Sequence, residues 1–135
     1  MAEMIRVVAG IIEEAGSGRL LICQRAYGKA FGGKWEFPGG KMRGGETPWA
    51  ALRRELREEL GIEASVGAVV YCVRHRYASM SEAVEVTFFR AAISFGVPRN
   101  LCFESICWVR RTDMAHHDFL EADRHLVERL VRGVF

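Results

Sequence analysis

The chain lacks any apolar run near the roughly 18 residues that a membrane-spanning helix requires, so no transmembrane segment is expected. It also lacks an excess of charge of either sign: 19 Lys and Arg stand against 17 Asp and Glu, a net +2. That near-balance argues against a nucleic-acid-polymer coat and against a basic membrane-surface helix. The opening "MAEMIRVVAG" carries an acidic residue and no leader-like apolar block, so no signal peptide is expected. Zinc spacing is missing too. Cys23, Cys72, Cys102 and Cys107 form no C-x-x-C pair, and His75, His116, His117 and His125 stand at no ligand spacing. All of the cysteines but Cys102 lie in apolar, strand-like runs, where a free thiol behaves as a small buried hydrophobe. Buried free thiols without a leader point to a reducing, cytoplasmic setting. Repeats, low-complexity tracts and linkers are absent, and 135 residues suit one domain, 1–135, with its own core.

What is present is a globular composition, 50% hydrophobic and 27% charged. "IRVVAGIIEE" and "GRLLICQR" are β-branched, apolar runs joined by "AGSG", which predicts a hairpin. From Tyr27 to Gly45 the chain changes character: seven glycines fall in nineteen residues, interrupted by the short apolar "WEF". So long a loop in a small domain implies a use for it. A helix follows, with Thr47 as N-cap, Pro48 at the first helical position and Gly61 past the end. Leu52, Leu56 and Leu60 form its buried stripe. "SVGAVVYCVRHRY", "EAVEVTFFRAAI" and "ICWVRR" predict further strands. The closing "FLEADRHLVERLVRGVF" predicts a second helix, with Leu126, Val127, Leu130 and Val131 facing inward and Asp123 available as N-cap. These elements suggest an α/β fold, a mixed sheet between helical layers.

Within the first helix, "RRELREELG" puts Glu55, Glu58 and Glu59 on one face, within an arc of about 100°. Like charges at i and i+4 weaken a bare helix. Arg54, four residues before Glu58, offers one internal neutralising pair, and a solvated charged face is the ordinary explanation for such runs. The alternative is a hard divalent cation, which takes oxygen ligands together with substrate phosphates. A neighbouring glycine-rich loop lets backbone approach both. "GKAFGGK" mimics the start of a phosphate loop, but Trp35 stands where Ser or Thr must follow and a strand-like run replaces the helix.

Read from Gly40, the chain runs "GKMRGGETPWAALRRELREELGI". This resembles the Nudix box (40–62), G-x5-E-x7-R-E-U-x-E-E-x-G-U, with U a bulky aliphatic residue. Gly40, Glu46, Arg54, Glu55, Leu56, Glu58, Glu59, Gly61 and Ile62 fill every fixed position. "WEFPGGK" before the box, an upstream "QR" and the closing "W-V…DFL-x-AD-R" extend the likeness to the MutT-like branch. The resemblance implies an α/β/α sandwich on a mixed sheet. It further implies hydrolysis of nucleoside triphosphates to monophosphate and pyrophosphate, of the 8-oxo-dGTP or modified dCTP/CTP type. ADP-ribose, a dinucleoside polyphosphate or a capped RNA end are the alternative substrates, and a silent nucleotide-binding module is a third reading. No nucleic-acid polymer and no membrane are expected as partners, and the state is a monomer or homodimer.

By the same resemblance Glu55, Glu58 and Glu59 hold Mg²⁺ (or Mn²⁺) with the Gly39 carbonyl. Arg54 orients Glu55, Glu46 braces the loop–helix junction, and Gly40 and Gly61 are structural. Glu46 also suits a helix N-terminus on charge grounds alone. Glu55 is the first choice for general base and Glu104 the second. The family's distal glutamate falls at Cys102 here; Cys102 and Glu104 would share a strand face, so Glu104 either substitutes for it or is solvated. Arg25, Phe37, Lys41 and Asp123 are the implied substrate contacts. Arg25 reads equally as a strand-end charge and Phe37 as core packing. Asp123 stands where guanine-specific relatives carry a base-reading asparagine. An ionised aspartate accepts only and suits an exocyclic amino group, a protonated one also serves 8-oxoguanine, and a plain N-cap is the other reading.

Overall fold

The structure, a computed structural model, describes residues 4–135; the first three residues of the stretch weighed as a leader lie outside it. Its strands are β1 (Ile5–Ile12), β2 (Leu20–Gln24), β3 (Trp35–Glu36), β4 (Gly39–Lys41), β5 (Glu63–His75), β6 (Val84–Phe95) and β7 (Ser105–Val109). Two α-helices, α1 (Pro48–Leu60) and α2 (Arg124–Val131), join 3₁₀ turns at Arg111–His116 and Glu121–Asp123. One sheet runs β4-β1-β6-β5, with β1 and β6 parallel and the other neighbours antiparallel. A second, antiparallel sheet runs β3-β2-β7. The expected hairpin forms only at its tip, where Glu13 bridges Leu20; β1 and β2 then part into different sheets.

β1 is buried on both faces, which is why it reads as a continuous apolar run. Val8 and Ile12 pack with Leu52, Leu56 and Leu60 of α1. Ala9 and Ile11 pack on the opposite side with Leu126 and Leu130 of α2. Helices therefore cover both faces, the expected α/β/α arrangement.

The ends of α1 follow local chemistry. Thr47 Oγ1 accepts from the Ala50 N–H at 3.2 Å, Pro48 opens the first turn, and Gly61 at φ +66° returns its N–H to the Arg57 carbonyl. β4 needs glycine for a different reason. A Cβ on Gly39 would lie 2.0 Å from the Val8 carbonyl oxygen, and one on Gly40 would lie 2.5 Å from the Glu55 carboxyl carbon. The glycine pair brings backbone against both β1 and α1.

Four expectations are corrected. Of the strand cysteines only Cys23 is buried; Cys107 is half-buried and Cys72 is exposed on the edge strand β5, and all four thiols are free. Asp123 does not cap α2: its backbone is already helical and its side chain makes no capping bond. Burial draws that carboxyl into the interior instead, only 4% exposed. The second helix is shorter than its pattern, because the chain first makes the Glu121–Asp123 turn; Val131 is half-buried beside fully buried Leu126 and Leu130. Glu104 precedes β7 in an irregular bend, so it shares no strand face with Cys102.

Candidate active site

A cavity of about 460 Å³ opens between β1, β4, α1 and the Glu121–Asp123 turn. Glu55 and Glu59 line one end of it, with Gly39, Gly40 and Lys41 of β4. Apolar side chains including Val84, Val86 and Phe37 line the remainder, with Asp123 among them. Residues far apart in sequence are thus gathered into one space.

The carboxylate end is organised by Arg54. Its Nε and Nη2 grip Glu46 at 2.6 and 2.9 Å, and its Nη1 donates to Glu55 at 2.9 Å and to Glu58 at 3.3 Å. Nη2 also reaches the Lys41 carbonyl at 3.2 Å, so one planar guanidinium ties helix, loop and β4 together. Glu46 takes the Arg43 N–H at 2.9 Å as well. These donors, Arg54 first, hold its carboxyl down at about 2. The i, i+4 pair of Arg54 and Glu58 anticipated from spacing is present. Arg57, without a partner inside its own run, pairs with Glu63 of β5 at 2.7 Å.

Glu59 stands apart from that network. Its Oε1 accepts from the Gly39 N–H at 3.1 Å. Burial, reinforced by the negative neighbours Glu55 and Glu36, pushes its carboxyl up to about 9. Glu58 lies outside the cavity wall, exposed and 3.7 Å from Arg43. Among the described residues no three His, Cys, Asp or Glu side chains already converge at ligand spacing. Negative charge crowded here without a full complement of cations, all on hard oxygen donors, fits a divalent metal ion.

Arg25 lines the cavity but is committed largely to the protein: Nη1 contacts both Glu36 oxygens at 3.2 and 3.1 Å, and Nε donates to the Ala30 carbonyl at 2.9 Å. Phe37 is both core and wall, packed on Phe88 and Phe119 and facing the cavity. Asp123 has a carboxyl raised well above the ordinary range by burial, then by nearby Glu36; the Phe37 N–H and Arg25 pull the other way. Glu104 stands outside the cavity wall, its carboxylate 3.4 Å from the Tyr27 N–H. Cys102 does line the wall, held by the Leu101 N–H to Glu59 carbonyl bond of 3.1 Å. Burial and the adjacent glutamates raise that thiol to about 11, so it stays protonated.

Two wall residues escaped the sequence. Glu36, pushed up to about 7 by burial against the opposing pull of Arg25, sits close enough to influence both Glu59 and Asp123. Its signal was a lone acid in an apolar strand beside the glycine loop. Tyr77 gave no signal, since a tyrosine after a strand is ordinary.

A model of the NUDIX domain family matches residues 4–130. A Mycobacterium tuberculosis protein named putative 8-oxo-dGTP diphosphatase 2 is 36% identical over 126 residues, 93% of this chain and 87% of its own. The Escherichia coli CTP pyrophosphohydrolase is 34% identical over 126 residues, covering 93% and 90%. The solution structure of the E. coli ORF135 protein superposes with a TM-score of 0.78 at 34% identity, covering 94% of this chain and 88% of that one. Nudix hydrolases generally use divalent metals, in keeping with the oxygen donors gathered at α1 and β4. On sequence, fold and box geometry together, the chain belongs to the Nudix hydrolase superfamily, in its MutT-like branch.

Proposed function

We propose that this protein hydrolyses damaged or noncanonical nucleoside triphosphates to the monophosphate and pyrophosphate, with Mg²⁺ or Mn²⁺. The observation that carries the reading is a single cavity whose wall divides between the α1 carboxylates with β4 and a buried Asp123 among apolar side chains. That division matches a molecule with a phosphate chain and a flat base. The relatives' names, an 8-oxo-dGTP diphosphatase and a CTP pyrophosphohydrolase, support it.

Glu55, Glu58, Glu59 and the Gly39 carbonyl would hold the ion. When bound it neutralises phosphate oxygens and acidifies water. Arg54 engages Glu55 at Oε1, leaving the second oxygen to take the proton of an attacking water. Water adds to the β-phosphorus as pyrophosphate forms and the bond to the nucleoside monophosphate breaks. Lys41 at the cavity rim offers its ammonium to the phosphate chain. Glu104, facing Tyr27 rather than the cavity, stands second to Glu55 for that proton.

Burial favours the neutral form of Asp123, and in that form its carboxylic acid donates at one oxygen and accepts at the other, which would set the base choice. That pairing suits an edge with adjacent donor and acceptor: N4 and N3 of cytosine, or N7–H and O6 of 8-oxoguanine. On its N7 and O6 edge unmodified guanine presents two acceptors, so an acid that reads that edge disfavours it against 8-oxoguanine. Four free thiols suit a reducing cytoplasm as the place of work. The test is a nucleotide panel with Mg²⁺, read for pyrophosphate against orthophosphate. Pyrophosphate from 8-oxo-dGTP or a cytidine triphosphate is expected, with little from dGTP. AMP and ribose phosphate from ADP-ribose, with no triphosphate turnover, would replace this substrate class by another.

A further inference from the structure

Tyr77 stands where three segments meet, and none of the roles above uses it. Its hydroxyl accepts a buried hydrogen bond from the Ala122 N–H at 3.1 Å. Its ring packs on Phe31 of the 25–34 loop with centroids 4.6 Å apart, and edge-on against His75 at 4.5 Å. Phe31 is the one non-glycine residue at positive φ among the described residues, at +57°. A bulky residue pays backbone strain there and persists only where its surroundings hold it. Here contact with Tyr77 holds it, and both rings face the cavity. On the far side His75 Nε2 lies 3.0 Å from Glu121 Oε2. The Glu121–Asp123 turn is therefore tied to the end of β5 and the residues after it at two consecutive positions, and the next residue is Asp123.

Taking the nucleotide-hydrolase reading as given, we propose that Tyr77 is the positioning residue for base choice. Its hydroxyl fixes the turn that presents Asp123, while its ring and Phe31 form the aromatic wall against which the base lies. The two parts of Tyr77 do separate things. A π-face attracts every base alike and supplies affinity without selection. Selection comes from a carboxyl held in register with the base edge, and a main-chain tether one residue away sets that register.

The test separates ring from hydroxyl. Tyr77→Phe keeps the wall; the kcat/KM ratio between the preferred triphosphate and dGTP should fall at least fivefold, with kcat on the preferred substrate within about twofold. Phe31→Leu should raise KM for every triphosphate alike and leave the ratio in place. Tyr77→Phe combined with Asp123→Asn should show the selectivity of Asp123→Asn alone, because Tyr77 acts through that carboxyl. An unchanged ratio in Tyr77→Phe, or a further loss multiplied onto Asp123→Asn, overturns the positioning role; an unchanged KM in Phe31→Leu overturns the wall. Should Tyr77→Phe fail to fold, His75→Gln, which loosens the same turn at Glu121, tests whether that turn sets the ratio, and an unchanged ratio there overturns the positioning role. A wild-type protein that hydrolyses no triphosphate sinks the nucleotide reading itself, an outcome distinct from a working enzyme whose selectivity ignores Tyr77.

Discussion

At the acidic end of the cavity the Nudix-box groups come from residues 39 to 59, one short strand and the helix after it, bound together by Arg54 and the Gly39 N–H. At the apolar end the groups come from Phe37 just after β3, from Val84 and Val86 of β6, from the segments around Phe31 and Tyr77, and from a turn near the C-terminus. The first is a local device: helix pitch and two glycines bring its members together once α1 packs on β1. The second exists only when distant segments have docked. Damage at the acidic end should therefore abolish chemistry and spare recognition, and damage at the apolar end should do the reverse.

The sharpest test of that division is Glu55→Gln. The amide cannot take a proton from water, so kcat should fall by roughly 10³-fold, within the range of a lost general base. Binding of the product monophosphate, read by calorimetry, should stay within a few fold of wild type. A parallel collapse of monophosphate binding would erase the distinction between the two ends. Arg54→Ala comes next. Without its guanidinium, Glu46 and Glu55 lose their shared partner, and divalent-ion affinity should drop by about 10- to 100-fold, as for other groups that orient ligands from behind. Titration with Mn²⁺, followed by its paramagnetic signal, measures this without relying on turnover.

The same division governs what could be read from the sequence. α1, its Thr47 and Gly61 boundaries, its leucine stripe and the Arg54–Glu58 pair were all legible, because helical geometry relates residues three and four apart. The glycine approach was legible as a loop with a use, though only close packing shows why Gly40 must lack a side chain: Glu55 fills that space. Asp123 was legible as a residue with two readings, and burial chose between them. Glu36 offered a signal as a lone acid in an apolar strand but not its partner, and Tyr77 offered none, since those partners lie 11 and 45 residues away, at Arg25 and Ala122. Cys102 and Glu104 were misplaced together, because the bend before β7 breaks the alternation that a strand would impose.

Asp123→Asn probes the apolar end with a smaller effect. The amide still donates and accepts, but its donor is fixed on nitrogen, whereas the acid places its proton on either oxygen. Discrimination between a cytidine and an 8-oxoguanosine triphosphate should shift by about tenfold, the scale of one misdirected hydrogen bond. The kcat on the better substrate should hardly move. A panel unchanged in its order would place base choice elsewhere in the wall.

The smallest effect is one of stability, and it joins the two ends through Glu36. Its carboxyl is raised to about 7 in the folded protein, chiefly by burial, from an ordinary value near 4.5. Between those values the folded state binds more protons than the unfolded one, so stability falls as pH rises. Thermal melts of the metal-free protein should therefore show Tm declining from about pH 4.5 through about pH 7. Glu36→Gln, which cannot ionise, should make the decline in that window shallower by one group's share, while Glu59 and Asp123, both raised by burial, keep it falling. Above it both proteins should keep falling in parallel, because Glu59, raised to about 9, continues to titrate. Parallel curves through the lower window as well would mean that Arg25 already keeps Glu36 ionised, its attraction outweighing the cost of burial.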